Sequence, residues 1–440
     1  MRTIIAPLLA TFIFLAFAGA LPAQIKGTSM GGITTVVSDG AFDAARNPAL
    51  LVTQKSPHSF GAYAKYRPYF YSDFSLGENT QSIERSDPET LTFGAITAYS
   101  YSSGSTIMGF AIGEAGGDLY NASKVEQKIF TPSGELRSTE DEVELNPSLV
   151  FSLAFPVGDS SSIGFQVGTA YNIKTTDTVE KFFFNGPPIT HTQTLTKEKS
   201  ATAISVGAGF GYLFSTPDSQ AGILIRTGNA ELYYETMDLT FEDLDDTISG
   251  MGQAGLLKYS KSVTSKKRMR YSDPASIAVG GYKRFTPLFA CAFESVYTLE
   301  NAYPSKALDD QESTSDTDIV EIQLKKTYTK MQSKIDVKGG VELNVMQQLA
   351  FTLGVGYSTS EMSSRTGSEN SNSSRSQSKV DILYATFGAH YALDEKTCLT
   401  MTVFYADVEG SFRVQENNFS LDVKAPTRFI DTGLGVTSKF

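Results

Sequence analysis

The feature that most constrains this chain is a strand pattern in which one face is apolar and the other is almost bare. In the stretch AFTLGVGYS, residues 350–358, the apolar residues Phe351, Leu353, Val355 and Tyr357 alternate with Ala, Thr, Gly and Ser. A period of two is typical of a β-strand, because successive side chains point to opposite faces of the sheet. A soluble sheet usually carries polar and charged groups on its outer face. The pattern therefore favours a sheet whose apolar face meets a non-aqueous phase.

The same alternation recurs along the chain, for example in residues 162–174, 201–214 and 334–344. The composition agrees with such strands, since 37 Gly, 29 Phe and 21 Tyr accompany a charged fraction of only 19%. We predict fourteen strands, at residues 59–71, 91–101, 105–115, 145–156, 162–174, 200–214, 220–233, 274–285, 288–299, 330–345, 348–360, 379–392, 397–408 and 427–440.

The connections between the predicted strands alternate strictly between short and long. Tight turns follow the even strands, and long polar connections follow the odd ones, at residues 72–90, 116–144, 175–199, 234–273, 300–329, 361–378 and 409–426. Such sorting is typical of outer-membrane barrels, which have short periplasmic turns and longer outer loops. Lipid offers no hydrogen bonds, so a closed barrel is needed to pair every backbone group. The sequence predicts an all-β fold, a 14-stranded antiparallel transmembrane β-barrel with the apolar face on lipid.

The first residues resemble a secretory signal. Arg2 precedes an apolar stretch from Ile4 to about Phe17, and small residues permit cleavage after Ala20 or Ala23. The apolar stretch is shorter than the roughly 20 residues that a membrane-spanning helix needs. We therefore expect residues 1–23 to be a cleaved signal peptide, in preference to an uncleaved anchor, and the mature chain to lie in the cell outer membrane.

Charge, cysteines and histidines argue against several functions. The formal charge of −11 argues against a nucleic-acid partner. The two cysteines, Cys291 and Cys398, fall on distant predicted strands and opposite faces, so we expect no disulfide. The three histidines, His58, His191 and His390, are far apart in sequence, so we expect no metal site and no cofactor.

A catalytic function is not expected either. Outer-membrane barrel enzymes use Ser/His or Asp/His groups near the outer rim, and His191 is the only histidine in a predicted outer loop. The stretch GYSTS, residues 356–360, lacks the second glycine of a nucleophile elbow, and no helix follows it. The sequence therefore predicts that the protein is not an enzyme.

The segment before the first strand carries a resemblance to a known family. Residues 24–56 are too apolar for a disordered tail, and GTSMGGITTVVSDGAFDAARNPALL followed by SFGAYAKY resembles the N-terminal signature of the FadL outer-membrane transporters. Asn47, Pro48 and Ala49 match the Asn-Pro-Ala tripeptide of that signature. The stretch SDPASIAVGGYKRF, residues 272–285, is similar to a strand in the middle of the family's barrel.

The resemblance implies three parts: a signal peptide (1–23), an N-terminal hatch (24–56) inside the lumen and a transmembrane barrel (57–440). It implies that Asn47, Pro48, Ala49 and Leu50 belong to the hatch and its gating. It also implies passive uptake of long-chain fatty acids or other hydrophobic small molecules, which leave through a lateral opening at a kink in the third strand.

The residues offer partial support for that opening and for ligand binding. Gly113, Gly116 and Gly117 cluster at the end of the third predicted strand, and glycine in a strand often marks a bulge or bend. The alternative is that these glycines only begin the outer loop. We also interpret Phe182, Phe183 and Phe184, in a predicted outer loop, as a hydrophobic groove for ligand entry or a cap on the barrel mouth.

Five basic residues fall on the predicted lumen face and are candidates for binding a carboxylate head group: Lys65, Arg67, Arg226, Lys334 and Lys338. The alternative is a solvated lumen in which these residues pair with acidic neighbours, such as Lys338 with Asp336 or Glu342.

The chain ends in an aromatic residue, Phe440. It resembles the terminal aromatic residue that the barrel assembly machinery reads, and we expect a monomer surrounded by outer-membrane lipid.

The N-terminal signature also resembles PorV-type barrels, which shuttle or dock secreted proteins without transporting small molecules. That function is the alternative to uptake of a hydrophobic compound.

Overall fold

The structure is a computed structural model that describes residues 26–54, 56–72, 75–76, 83–85, 89–113, 118–131, 134–186, 189–245, 257–300, 306–309, 326–331, 333–367, 374–416 and 419–440. The described helices are short: an α-helix, α1 (Lys26–Ser29), and two 3-10 helices (Gly40–Ala45 and Pro48–Thr53). In the described part of the chain, no helix has the length and apolar character needed to cross a membrane.

The strands of the described chain form one antiparallel sheet. They are β1 (His58–Ser72), β2 (Ser75–Leu76), β3 (Ile83–Arg85), β4 (Glu89–Ser103), β5 (Thr106–Gly113), β6 (Tyr120–Thr131), β7 (Gly134–Leu145), β8 (Ser148–Pro156), β9 (Ser161–Gly186), β10 (Ile189–Ser215), β11 (Ser219–Arg226), β12 (Ala230–Asp245), β13 (Leu257–Ser272), β14 (Ser276–Thr286), β15 (Phe289–Thr298), β16 (Lys306–Asp309), β17 (Lys326–Met331), β18 (Lys334–Met346), β19 (Leu349–Gly367), β20 (Ser374–Ala392), β21 (Thr397–Glu416) and β22 (Phe419–Lys439).

Fourteen of these strands close a barrel, as predicted. The ring runs β1, β4, β5, β8, β9, β10, β11, β14, β15, β18, β19, β20, β21 and β22, each paired with the next. The last strand returns to the first, with Lys439 opposite Ser59 and Thr432 opposite Tyr66. Each predicted strand overlaps one strand of this ring, although the prediction for 220–233 was too long, because β11 ends at Arg226.

Several predicted long connections are wrong, because they contain strands. β9 and β10 are 26 and 27 residues long, and β6, β7, β12 and β13 fill much of 116–144 and 234–273. These strands pair with one another and with the upper parts of β4, β9 and β10. Their sequences, such as GELRSTEDEVEL in β7, are polar on both faces, so they lack the apolar period by which the other strands were found.

The two faces of the barrel wall differ as the pattern in residues 350–358 predicts. Leu353, Val355 and Tyr357 are exposed on the outside, whereas Thr352 and Ser358 are buried on the inside. The thiols of Cys291 and Cys398 are free, which confirms the prediction that they do not pair.

The bare inner face is explained by the segment that precedes β1. Residues 26–54, which we call the plug, lie against inward glycines of strands around the whole ring, and a Cβ atom on these glycines would collide with the plug. They are Gly61, Gly109, Gly164, Gly211, Gly222, Gly280, Gly340, Gly354 and Gly388. Because these glycines lie near the short turns, the plug fills the lumen at the short-turn end of the barrel.

Candidate functional site: the plugged lumen

The plug is organised around a buried ion pair. Arg46 is 2% exposed and pairs with Asp39, whose carboxylate also accepts hydrogen bonds from the backbone N–H groups of Lys26 (2.8 Å) and Gly27 (3.1 Å). Burial lowers the pKa of Arg46 to about 9, so the guanidinium remains charged at neutral pH. This pair joins the first turn of the plug to the end of its first 3-10 helix.

A second carboxylate of the plug lies in a different environment. Asp43 accepts hydrogen bonds from the hydroxyl of Ser38 (2.6 Å) and the backbone N–H of Asp39 (3.0 Å). Burial raises the pKa of Asp43 well above its usual range, because the charged form is poorly solvated there.

The Asn-Pro-Ala tripeptide has a clear structural role. The side chain of Asn47 caps the second 3-10 helix by accepting from the N–H of Ala49 (3.1 Å), and its amide donates to the carbonyl of Thr35 (2.8 Å). Pro48 occupies the first turn of the helix, where no N–H is needed. Leu50 is fully buried. Gating by these four residues stays a prediction, but their position in the plug agrees with the resemblance.

The strongest contact between plug and wall is made by Glu294 of β15, which is fully buried. Its carboxylate accepts from the N–H of Thr34 (2.6 Å), the N–H of Thr35 (2.7 Å) and the hydroxyl of Thr34 (3.0 Å). Lys338 of β18 donates to the same carboxylate (2.9 Å) and to the carbonyl of Gly32 (3.0 Å). We call Glu294 and Lys338 the plug clamp.

A left-handed turn presents the plug to this clamp. Gly31 and Gly32 have φ angles of +83° and +74°, which residues with a side chain rarely adopt. After this turn the N–H of Ile33 donates to the carbonyl of Gly27 (3.0 Å). The N–H groups of Thr34 and Thr35 both point at the wall carboxylate, an arrangement that favours an anion.

Further anchors lie near the start of the plug. Lys26 pairs with Glu342 of β18 (2.8 Å). The hydroxyl of Ser29 contacts His390 (3.2 Å) and Thr352 (2.6 Å). The plug is therefore held by ionic and polar contacts on several strands.

Four of the five candidate head-group residues are already paired with wall carboxylates. Lys65 pairs with Asp118 (2.9 Å), and Arg67 pairs with Asp118 (3.4 Å) and Asp431 (2.7 Å). The other two pairs are Lys334–Asp336 (3.3 Å) and Lys338–Glu294 (2.9 Å).

The expected partners of Lys338 were wrong. The sequence suggested Asp336 or Glu342, two and four residues away on the same strand, but the partner is Glu294, directly opposite on β15. Side chains directly opposite on paired strands have Cβ atoms about 5 Å apart, whereas residues two apart on one strand are separated by about 6.6 Å.

Arg226 differs from the other four candidates. It is the last residue of β11. Its guanidinium Nη2 is 3.5 Å from the carbonyl oxygen of Ala45 in the plug. No carboxylate within the described residues pairs with Arg226 at ion-pair distance. Among the five candidates, Arg226 is therefore the cation whose positive charge is least balanced by a nearby carboxylate.

The register of the wall shifts between β5 and β6, after Gly113. On β4, Ile96 pairs with Gly113 and Phe93 pairs with Tyr120, so partners that are three residues apart on β4 are seven residues apart on the facing segment. The partner on the other side shows the same shift, with Ser148 opposite Gly113 and Leu145 opposite Tyr120. Gly116 and Gly117 lie outside the described residues. A role in lateral opening stays a prediction.

The three consecutive phenylalanines do not lie in a loop. Phe182 and Phe183 belong to β9, where they pair with Gln193 and Thr192 of β10. Adjacent residues of a strand point to opposite faces, so Phe182 and Phe183 cannot share one patch, and Arg137 stacks over Phe183 at 4.9 Å. Phe184 pairs with His191, and its side chain lies outside the described part.

Sequence reasoning missed an aromatic cluster on the inner wall. The rings of Tyr384 and Phe404 stack at 5.3 Å, those of Phe404 and Phe429 stack at 5.9 Å, and Arg67 lies 4.2 Å above Phe429. Val380, Ala406 and Val408 complete this buried cluster on β20–β22.

The aromatic cluster begins at the plug, where the hydroxyl of Tyr384 donates to the carbonyl of Gly31 (3.0 Å). It extends from there towards the long-loop end of the wall. The missed signal was a loss of alternation, because residues 382–385 and 403–406 are apolar on both faces.

Comparisons with known proteins agree with this architecture. No protein-family model and no curated protein matches the chain. The toluene transporter TodX of Pseudomonas putida superposes with a TM-score of 0.58 at 10% identity, over 96% of this chain and 99% of TodX. A FadL homologue of Pseudomonas aeruginosa gives 0.56 at 13% identity, over 96% and 100%. The toluene transporter TbuX of Ralstonia pickettii gives 0.52 at 13% identity, over 96% and 99%.

These similarities extend along almost the whole of each chain, and they confirm at the level of fold the resemblance that the N-terminal signature predicts. The chain therefore has the fold shared by solved structures named as toluene transporters and as a FadL homologue.

Proposed function

We propose that this protein is an outer-membrane channel for the passive uptake of hydrophobic small molecules, with no cofactor and no chemical reaction. The observation that carries the proposal is the apolar inner wall beside the plug, formed by Tyr384, Phe404 and Phe429 with their aliphatic neighbours. The lumen of a water-filled barrel is polar, whereas the inward side chains beside this plug are apolar and nearly buried. The solved structures with this fold that are named as transporters of toluene support the same class of ligand.

The plug and the register shift after β5 suggest the route that a ligand takes through the barrel. The plug fills the short-turn end of the lumen, so a ligand that reaches the aromatic cluster has no straight passage. The shift in register between Gly113 and Tyr120 supports a sideways exit through the wall. In this route the plug acts as a hatch and the barrel wall provides the opening.

Replacing Phe404 with asparagine is expected to lower the uptake of a neutral aromatic compound by about fivefold or more. An amide at this position would have to be desolvated whenever an apolar ligand passes, at a cost of roughly 1–3 kcal/mol. The measurement is flux of radiolabelled toluene into liposomes that contain the purified protein.

The matched control is Tyr405→Asn, because Tyr405 is the next residue of β21 and is exposed on the outer face. Equal loss of flux in both variants, or none in Phe404→Asn, would remove the support that the aromatic cluster gives to this function.

The proposed ligands include long-chain fatty acids, and Arg226 is the residue that we propose for the carboxylate. The other four candidates each have a carboxylate partner that a ligand would need to displace. Arg226 contacts only a neutral carbonyl oxygen at 3.5 Å among the described residues, and a guanidinium binds a carboxylate strongly through charge-assisted hydrogen bonds.

Arg226→Met is expected to weaken binding of oleate by about tenfold or more, because a charge-assisted hydrogen bond contributes roughly 1.5–3 kcal/mol. Binding of toluene, which has no charge, should stay unchanged. Isothermal titration with both ligands checks this prediction, with Lys334→Met as the control at a cation that already has a partner. Weaker binding of both ligands in Arg226→Met would indicate a general disturbance of the lumen.

The alternative is a barrel that docks secreted proteins, as PorV-type barrels do. Such a partner would contact the tall strands at the long-loop end, and the lumen would have no reason to be apolar. A protein that captures a secreted polypeptide, yet gives no flux of any hydrophobic compound, would favour this alternative.

Phe440 supports a further part of the proposal, which concerns assembly. It is exposed, and its backbone N–H donates to the carbonyl of His58 where the ring closes (3.0 Å). We expect the barrel assembly machinery to read this terminal aromatic residue, and the assembled barrel to be a monomer.

A further inference from the structure

Two neighbouring hairpins at the short-turn end share an unusual local geometry. In the hairpin of β14 and β15, Arg284 pairs with Ala290 and Thr286 pairs with Phe289, which leaves Phe285 as an extra residue. A β-bulge of this kind re-aims a side chain and bends the strand. The bulge lies immediately before the turn.

The hairpin of β18 and β19 repeats this arrangement. Asn344 pairs with Ala350 and Met346 pairs with Leu349, which leaves Val345 as the extra residue. β15 pairs with β18, so the two bulged hairpins are adjacent on the ring. By contrast, the hairpin of β4 and β5 pairs without a shift up to its turn.

Each bulged hairpin exposes two large apolar side chains, which together we call the apolar rim. Their exposed fractions are Phe285 60%, Leu288 63%, Val345 55% and Met346 66%. These values are high even for surface positions, and four such residues in two adjacent turns form a patch. A soluble surface seldom leaves a continuous apolar patch uncovered, so the patch indicates a contact.

Charge separates these two turns from others at the same end. Their turn residues, 286–288 and 347–348, include no acidic residue, and Lys283 and Arg284 lie immediately beside Phe285. The turns at 157–160, 216–218 and 393–396 each contain aspartate. An apolar patch with basic neighbours complements acyl chains below phosphate head groups.

The apolar rim also continues the apolar outer face of the wall. On β18, Ile335, Val337, Leu343 and Val345 are all exposed on the same face. From Ile335 to Val345 the strand rises ~33 Å, which matches the ~35 Å that a strand tilted by about 45° needs to cross an apolar band ~25 Å tall. Val345 therefore lies at the edge of that band.

We propose that the apolar rim is a lipid-contact surface, seated in the leaflet at the short-turn end of the barrel. Phe285, Leu288, Val345 and Met346 contact acyl chains, and the exposed ammonium of Lys283 lies near the phosphates. This inference depends on the membrane location in the proposed function, but not on transport.

The absence of tryptophan from the sequence makes a direct test possible. Single-tryptophan variants Leu288→Trp and Met346→Trp report from the two hairpins of the apolar rim without background. Val355→Trp reports from the exposed outer face of β19, and Ser103→Trp reports from the polar turn of β4 and β5. Each folded variant is placed in phosphatidylcholine vesicles whose acyl chains carry bromine, which quenches tryptophan on contact.

Leu288→Trp and Met346→Trp are expected to show at least half the quenching of Val355→Trp, whereas Ser103→Trp shows little. If the two rim variants are quenched no more than Ser103→Trp while Val355→Trp is quenched, the barrel is in the membrane and the proposal is overturned. A blue-shifted but unquenched rim tryptophan together with chemical crosslinking of two copies would assign the rim to a dimer contact, and would also overturn it. Lack of quenching in Val355→Trp would instead contradict the membrane location itself.

Discussion

Replacing Glu294 with alanine is expected to lower the free energy of opening the plug by several kcal/mol, while the barrel stays folded. Three hydrogen bonds from Thr34 and Thr35 end on this carboxylate, and the ammonium of Lys338 pairs with it. Removing one partner of a buried ion pair leaves the other charge without compensation, which costs roughly 3–5 kcal/mol. That cost falls on the plug and its clamp, because the ring of strands is closed by backbone hydrogen bonds that the substitution leaves in place.

Hydrogen exchange followed by mass spectrometry measures this effect directly, because local opening sets the exchange rate of protected amides. Amides of peptides that cover residues 30–36 are expected to exchange roughly 10²–10³ times faster in Glu294→Ala than in the parent protein, since every 1.4 kcal/mol corresponds to a factor of ten. Peptides from β20 and β21 should exchange as before.

The control is the more exposed pair Lys334–Asp336 on β18. Asp336→Ala removes a carboxylate from the same strand as Lys338, but its partner Lys334 belongs to the wall, so the bonds between Glu294 and the plug stay in place. Similar changes in Glu294→Ala and Asp336→Ala would contradict the assignment of Glu294 as a clamp.

A double variant separates the two parts of the clamp. In Glu294→Ala with Lys338→Met, the ammonium that lost its partner is also removed, so part of the loss should be recovered relative to Glu294→Ala alone. Double-mutant cycles isolate this coupling because the two residues are in contact. The backbone N–H groups of Thr34 and Thr35 would still lack their acceptor, so recovery should be incomplete.

The barrel could be predicted from sequence because its environment imposes a simple rule. The outer face must be apolar and every backbone group must be paired, so strands such as 350–358 show an unbroken period of two. This rule no longer applies to the parts of the strands that extend beyond the apolar layer of the membrane. β7 is largely polar on both faces, and the upper part of β9 has no alternation of apolar and polar residues, so both were interpreted as loops.

Partners across the lumen could not be predicted in the same way. The alternation of side chains along β15 and β18 places Glu294 and Lys338 on the inner face. Thr34 and Glu294, however, are 260 residues apart in sequence, and only closure of the ring brings them together. The aromatic cluster was missed for a different reason. Where both faces of a strand are apolar, as at residues 403–406, the pattern does not indicate that the inner face has a separate purpose.

The second large effect is expected from Gly340→Ala, which should displace the plug, in contrast to Gly339→Ala, which should not. A Cβ on Gly340 would lie 2.7 Å from the Cα and 2.8 Å from the carbonyl carbon of Met30, which belong to the backbone of the plug. Comfortable carbon–carbon contacts are about 3.5–4.0 Å, so the plug or the strand must move by roughly 1 Å. A Cβ on Gly339 would have no heavy atom nearer than 4.0 Å.

The two substitutions add the same methyl group to neighbouring residues of one strand, so strand propensity and chain composition are matched. Overpacking of a close contact costs typically 1–3 kcal/mol, which corresponds to exchange about 5–150 times faster for plug amides in Gly340→Ala. Gly339→Ala should resemble the parent protein.

Conductance in planar lipid bilayers gives an independent readout. If the plug seals the lumen only because bare glycines let it approach the wall, Gly340→Ala should show ion-conducting openings that Gly339→Ala lacks. Closed bilayers and unchanged exchange in both variants would mean that the wall yields to the new methyl group, and that the inner glycines are not what seats the plug. The comparison therefore tests whether the bare face of these strands exists for the plug, which is what its contacts with glycines on β1, β5, β9, β10, β11, β14, β18, β19 and β20 indicate.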